Sequence, residues 1–177
     1  MCFIAAHWVW ATEAILASTS QSSFRGKEGD YLYPSSNLIN GKGLSGKFKG
    51  DNCAGTNYGP TQWFSFELKV PQHLFSIKIT PRLGCCPERS QNISVTIGPS
   101  RSYDSREPLC LPVIPQLVLQ EGLTEYKCTG ELHQGRFVKI TRGLDGSDGI
   151  MNICEVKIFT VGGNHTILLP VAEPSGL

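Results

Sequence analysis

No tract of one charge runs through this 177-residue chain, in which 16 Lys and Arg stand against 15 Asp and Glu. A basic stripe for a phosphate backbone and an acidic solvating tail are both missing, so no nucleic-acid partner is expected. No apolar run is long enough to cross a bilayer as a helix, and the chain is not expected to be transmembrane. No segment keeps a 3.6-residue apolar period over three turns, which removes helices as the main elements. Gly-x-Ser-x-Gly, His-Glu-x-x-His and a phosphate-binding glycine loop are all absent, and the chain is not expected to be an enzyme. There is no Cys-x-x-Cys, and no histidine completes a zinc-ligand spacing, which argues against a zinc knot or a thioredoxin-like centre. No Lys or Arg precedes Arg25.

What is present is punctuation. Nineteen glycines and eleven prolines are scattered between short apolar runs. Residues 63–70 alternate partly, 74–80 follow Pro71, and 93–97 keep a clean period of two up to Gly98-Pro99. Residues 117–119 and 123–128 flank a turn at 120–122, and 136–141 and 152–159 close the series. Seven or eight short strands of this kind describe an all-β sandwich or jelly roll. Trp63 and Phe64 read as core, and His133 and His165 as solvated.

The domain is expected over residues 14–161, with 162–177 a tail or linker. Residues 1–13 read as a signal-peptide remnant or a mis-predicted start: the stretch is apolar but lacks a basic n-region, and Thr12-Glu13-Ala14 is a poor cleavage site. Cys2 is the odd cysteine. The other six, Cys53, Cys85, Cys86, Cys110, Cys128 and Cys154, are an even set in a turn-rich domain and read as disulfides. Six cysteines allow 15 pairings. Sequons at Asn92-Ile93-Ser94 and Asn164-His165-Thr166 fit the same oxidising compartment, so a secreted, extracellular protein is expected.

The most specific run is Pro81-Arg82-Leu83-Gly84-Cys85-Cys86-Pro87-Glu88-Arg89. Two guanidinium forks, each with several donors at set angles, bracket adjacent cysteines, a chemistry suited to gripping a neutral polyol such as a sugar. Taken by composition alone, the arginines are surface cations pairing with carboxylates such as Glu88, and the cysteines belong to two separate disulfides.

The run resembles Arg-x-Asp-Cys-Cys-x-x-Arg, the signature of the F-type lectins (fucolectins). Ser20-Gln21-Ser22-Ser23, Asn37-Leu38-Ile39-Asn40-Gly41, Gln62-Trp63-Phe64-Ser65-Phe66-Glu67-Leu68, Gly135-Arg136-Phe137-Val138 and Ile153-Cys154-Glu155-Val156-Lys157-Ile158 resemble further segments of that family, so the likeness spans residues 14–161. It implies a discoidin-like eight-stranded jelly-roll β-sandwich. It also implies the pairs Cys53–Cys154, Cys110–Cys128 and Cys85–Cys86, the last forming an apolar plate for a sugar ring.

The resemblance further implies a carbohydrate site made by Arg82, Arg89, Cys85 and Cys86, with the family's histidine position falling on Gly55. Gly84 stands where the family has an aspartate. The first change removes a donor to the sugar, and the second removes a carboxylate that would hold an arginine. A structural Ca2+ is implied at Asn37, Asn40, Lys42, Asn52 and Glu155, with Asn40 replacing the usual aspartate and Glu155 kept. The partners implied are glycans, fucosylated or other, bound through a homo-oligomer or a tandem-domain parent, since single lectin sites gain strength by multivalency. A jelly-roll module that has lost sugar binding and recognises protein or membrane surfaces is the alternative. A thiol enzyme at Cys85/Cys86 is the remote one.

Overall fold

Alternation decides the strands. The computed structural model describes residues 10–23, 33–48, 52–101, 107–143 and 149–161. Residues 1–9 and 162–177, on which most of the leader expectation and all of the tail expectation fall, lie outside the described residues, as do Cys2, Asn164 and His165. Nine strands are present in the described residues: β1 (Thr12–Glu13), β2 (Leu16–Gln21), β3 (Ala54–Gly55), β4 (Gln62–Pro81), β5 (Gln91–Gly98), β6 (Leu109–Gln116), β7 (Thr124–Lys127), β8 (Gln134–Arg142) and β9 (Asn152–Val161). The fold is all-β. β1 pairs with Thr160 and Phe159 of β9, so the sheet begins two residues before position 14.

β4 is the spine. Its first half pairs antiparallel with β2 and β8, and its second half with β7 and β9. Sequence alternation suggests two strands separated at Pro71, whereas the chain stays extended across that point. Pro71 is exposed at the bend, where a missing N–H leaves no buried partner unsatisfied. β8 continues to β5 and β5 to β6, giving one layer, while β9 gathers β1 and β3 in the other.

Period-two positions from both layers meet in the core: Phe64, Phe66 and Leu68; Ile77 and Ile79; Ile93, Val95 and Ile97; Val138 and Ile140; Val156 and Ile158. The opposite face of β4, β8 and β5 carries buried polar residues, Ser65, Ser94, Thr96, Lys139 and Thr141. Lys139 is fully buried there, and its ammonium donates to both carboxylate oxygens of Glu107. Neither charge is tolerable in that place without the other.

The fold brings both ends of β4 to the same end of the sandwich. Gln21, opposite Phe64 near the start of β4, donates through Nε2 to the Gly55 carbonyl. Gly55 pairs with Asn152 at the start of β9, and Asn152 meets Arg82 just past the end of β4.

Candidate functional site

The arginines converge. Arg82 follows β4, and Arg89 sits in the 3-10 turn Pro87–Ser90 that leads into β5. Their Nη1 atoms donate to one acceptor, Asn152 Oδ1, at 3.3 and 3.2 Å. Asn152 is fully buried, and its Nδ2 donates to the Ala54 carbonyl at 3.5 Å, which sets which way the amide faces. Arg82 also lies over Phe48, its guanidinium carbon 4.0 Å from the ring centroid, and Tyr33 packs on Phe48 with centroids 4.2 Å apart. Stacking and hydrogen bonding thus hold the Arg82 fork in one plane. Arg89 Nε lies 3.7 Å from the exposed Glu88 carboxylate, a rim contact worth little.

Between the arginines the chain turns tightly. Gly84 takes φ +83°, and Cys86 takes φ +60° just before the 3-10 turn, whose Arg89 N–H donates to the Cys86 carbonyl at 3.0 Å. Cys85 and Cys86 are bonded to each other; Cys85 is exposed and Cys86 half-buried. Leu83 is docked by its N–H on the Gly46 carbonyl at 2.7 Å, which brings the 42–48 loop and Phe48 alongside Arg82. An apolar sulfur plate flanked by cationic forks is a surface that packs a sugar's C–H face and donates to its hydroxyls.

Gly55 is in this place too. It is buried in β3, directly opposite Asn152, and its N–H donates to the Tyr33 carbonyl at 3.1 Å. It contributes backbone to the floor of the site and no side chain.

Of the residues expected at the metal, Glu155 and the Asn52 carbonyl come close to Gly43, which follows Asn40 and Lys42 along the chain. Glu155, buried in β9, accepts from the Gly41 N–H at 3.3 Å and the Gly43 N–H at 3.1 Å. A Cβ on Gly43 would stand 1.7 Å from the Cys154 carbonyl oxygen and 2.6 Å from that of Asn52, so backbone oxygens crowd this glycine. Asn40 Oδ1 accepts the Lys42 N–H at 2.9 Å, and Asn37 Nδ2 donates to the Cys53 carbonyl at 2.9 Å. Asn37 therefore uses its side chain to anchor the first disulfide.

Burial raises the Glu155 carboxyl above its ordinary value, against the two glycine N–H groups that lower it. One carboxylate among carbonyl oxygens is a hard-oxygen donor set, of the kind calcium takes. Among the described residues no three His, Cys, Asp or Glu side chains cluster, so such an ion depends mainly on backbone oxygens.

Cys53 joins Cys154 and Cys110 joins Cys128. The first bond fastens the residue just before β3 to β9, beside both the arginine cluster and the Glu155 loop.

Sequence reasoning did not find Asn152 or Phe48. Asn152 opens the run 152–159 that reads as a strand, and nothing in that pattern marks its side chain as a buried acceptor. Phe48, an apolar residue between Lys47 and Lys49, offered a weak signal.

No family model matches the chain. It is 27% identical over 139 residues to the pentraxin fusion protein of Xenopus laevis, covering 78% of this chain and 31% of that one. It is similar in structure to a fucolectin from striped bass (Morone saxatilis) serum, at TM-score 0.67 and 26% identity, covering 81% of this chain and 46% of that one. A fucose binding module of Streptococcus pneumoniae shares the fold at TM-score 0.58 and 20% identity, over 81% of this chain and 90% of that one. The chain thus spans about a third of the curated relative and under half of the fucolectin.

Proposed function

The chain is an F-type lectin-like domain of discoidin-like fold, and from that premise we propose that it binds glycans without catalysis at the Arg82/Arg89 end of the sandwich. The ligand class is a fucose-type or related sugar, its ring packed on the Cys85–Cys86 plate and its hydroxyls held by the two guanidinium groups. The observation that carries this reading is the shared acceptor: two arginines seven positions apart are locked on one buried amide oxygen beside an exposed disulfide. The striped bass protein is described as a fucolectin, which supports the same class.

Calcium belongs to the proposal as a structural ion, held by Glu155 and the carbonyls around Gly43, with Asn37, Asn40, Lys42 and Asn52 in its loops. Its chemistry is neutralisation of a buried carboxylate. The disulfides support an extracellular location. Useful avidity requires several sites, in a homo-oligomer or a longer parent chain.

A second reading has one specific observation in its favour. Gly55 offers no donor at the floor of the site and Gly84 no carboxylate, so the fold can serve as an interaction module that recognises protein or membrane surfaces and no longer holds sugar. A glycan array with the oxidised, multimerised domain, in calcium and in chelator, separates the two. Sugar-specific signal lost in Arg82→Ala supports the lectin. A blank array from correctly disulfide-bonded protein supports the interaction module.

A further inference from the structure

Tyr58 stands out at the arginine end of the sandwich. The residue is 73% exposed, while its neighbours in the chain are tied down. The Thr56 N–H donates to the Met151 carbonyl at 3.0 Å, and the Met151 N–H returns to Thr56 Oγ1 at 2.9 Å. The Asn57 N–H donates to Ser23 Oγ at 2.9 Å, and the Gly59 carbonyl accepts the Gly149 N–H at 3.3 Å. Gly59 also packs so closely on Gln62 that a Cβ there would meet Gln62 Nε2 at 2.2 Å. The loop is fixed on both sides of an aromatic ring that it presents to water.

Its position gives that ring a use. Tyr58 is three residues from Gly55, hence within about 11 Å of it along the chain, and Gly55 is the register partner of the amide that holds both arginines. Glycine at 55 puts no side chain into the space between. The other large exposed aromatic among the described residues, Trp10, precedes Thr12, which pairs with Thr160 at the far end of β9. An exposed ring on a loop already ordered binds with little further entropic cost, and its face suits the C–H face of a pyranose.

We propose that Tyr58 forms a second sugar subsite beside the arginine pair, so that the protein selects oligosaccharides over the single residue held at Arg82 and Arg89. This rests on the glycan-binding reading above and adds the size of the ligand to it.

The test is an array carrying L-fucose, galactose, N-acetylgalactosamine and mannuronate, each as the single residue and at the end of an oligosaccharide. It is probed with wild type, Tyr58→Ala and Tyr58→Trp. For a sugar that wild type binds, Tyr58→Ala is expected to weaken the oligosaccharide about three- to tenfold and leave the single residue within about twofold, with Tyr58→Trp retaining the preference. An unchanged oligosaccharide affinity, or an equal loss on both, overturns the subsite and leaves the lectin reading intact. Wild type that binds nothing on the array overturns the lectin reading, and the subsite with it. Because the side chain is exposed, a melting curve matching wild type is expected and checks that the variants are folded.

Discussion

Asn152 stands directly opposite Gly55 in the β3–β9 ladder. The residue that holds the arginines and the residue that leaves the floor of the site bare are therefore cross-strand partners.

Asn152→Ala removes the acceptor shared by Arg82 and Arg89. Hydrogen bonds to charged groups are worth about 1.5–3 kcal/mol, so glycan affinity should fall about tenfold or more as the forks lose their common orientation. Isothermal titration beside a denaturant melt separates lost binding from lost stability. Unchanged affinity would mean that the arginine pair does not need the amide.

Gly55→His puts a donor opposite Asn152. One neutral hydrogen bond, about 0.5–1.5 kcal/mol, corresponds to roughly two- to twelvefold tighter binding. Titration with L-fucose reads this directly, and a variant that folds but binds no better would show that the floor is shaped for a different ligand.

The disulfides should divide between stability and binding. Cys53–Cys154 closes a separation of 101 residues, and the chain-entropy model assigns such a loop about 4.7 kcal/mol. Cys85–Cys86 closes a separation of one and constrains the unfolded chain very little. Replacing Cys53 and Cys154 by serine should lower the unfolding midpoint sharply. Replacing Cys85 and Cys86 by serine should leave it near wild type and abolish glycan binding, as chemical denaturation and array binding would show.

Glu155 predicts a pH dependence with a definite sign. Burial raises its folded-state pKa, so its contribution to stability is present below the ordinary carboxylate range and lost as pH rises through the raised value. In chelator, wild type should therefore lose stability relative to Glu155→Gln as pH is taken from below that range to neutrality. Calcium at a hundred times its dissociation constant should return about 2.7 kcal/mol to wild type at neutral pH and much less to the variant. Melting curves that ignore calcium in both proteins would remove the ion from the proposal.

Glu107→Gln leaves the fully buried Lys139 ammonium without its carboxylate. The expected cost is about 3–5 kcal/mol, largely recovered when Lys139 is also changed to Met. Urea denaturation of both variants checks it, and glycan binding by the folded double variant should be unaffected, because the pair lies on the outer face of the sheet.

Much of the candidate site was legible because its parts are close along the chain. Arg82, Cys85, Cys86 and Arg89 lie within eight positions of one another, and their residue types state the chemistry. Asn152 and Phe48 were a different matter. Each comes from another stretch of chain, and nothing local to Asn152 distinguishes a buried cross-strand acceptor from any other polar residue at the start of a strand. The continuity of β4 across Pro71 was also hidden, since a proline between apolar runs looks the same at a loop as at an exposed bend in a strand.

By itself the sequence determined the class of fold, because the period of two and the spacing of glycine and proline are local properties of the backbone and its solvent. It also pointed to the arginines and adjacent cysteines as groups suited to a sugar, and to an even set of cysteines able to close disulfides. Only the tertiary structure decided that both arginines donate to Asn152, that Phe48 lies beneath Arg82, that backbone oxygens crowd Gly43 beside Glu155, and that Tyr58 faces water at this end. Those relations depend on strand register, which is set by how two layers bury their apolar faces together.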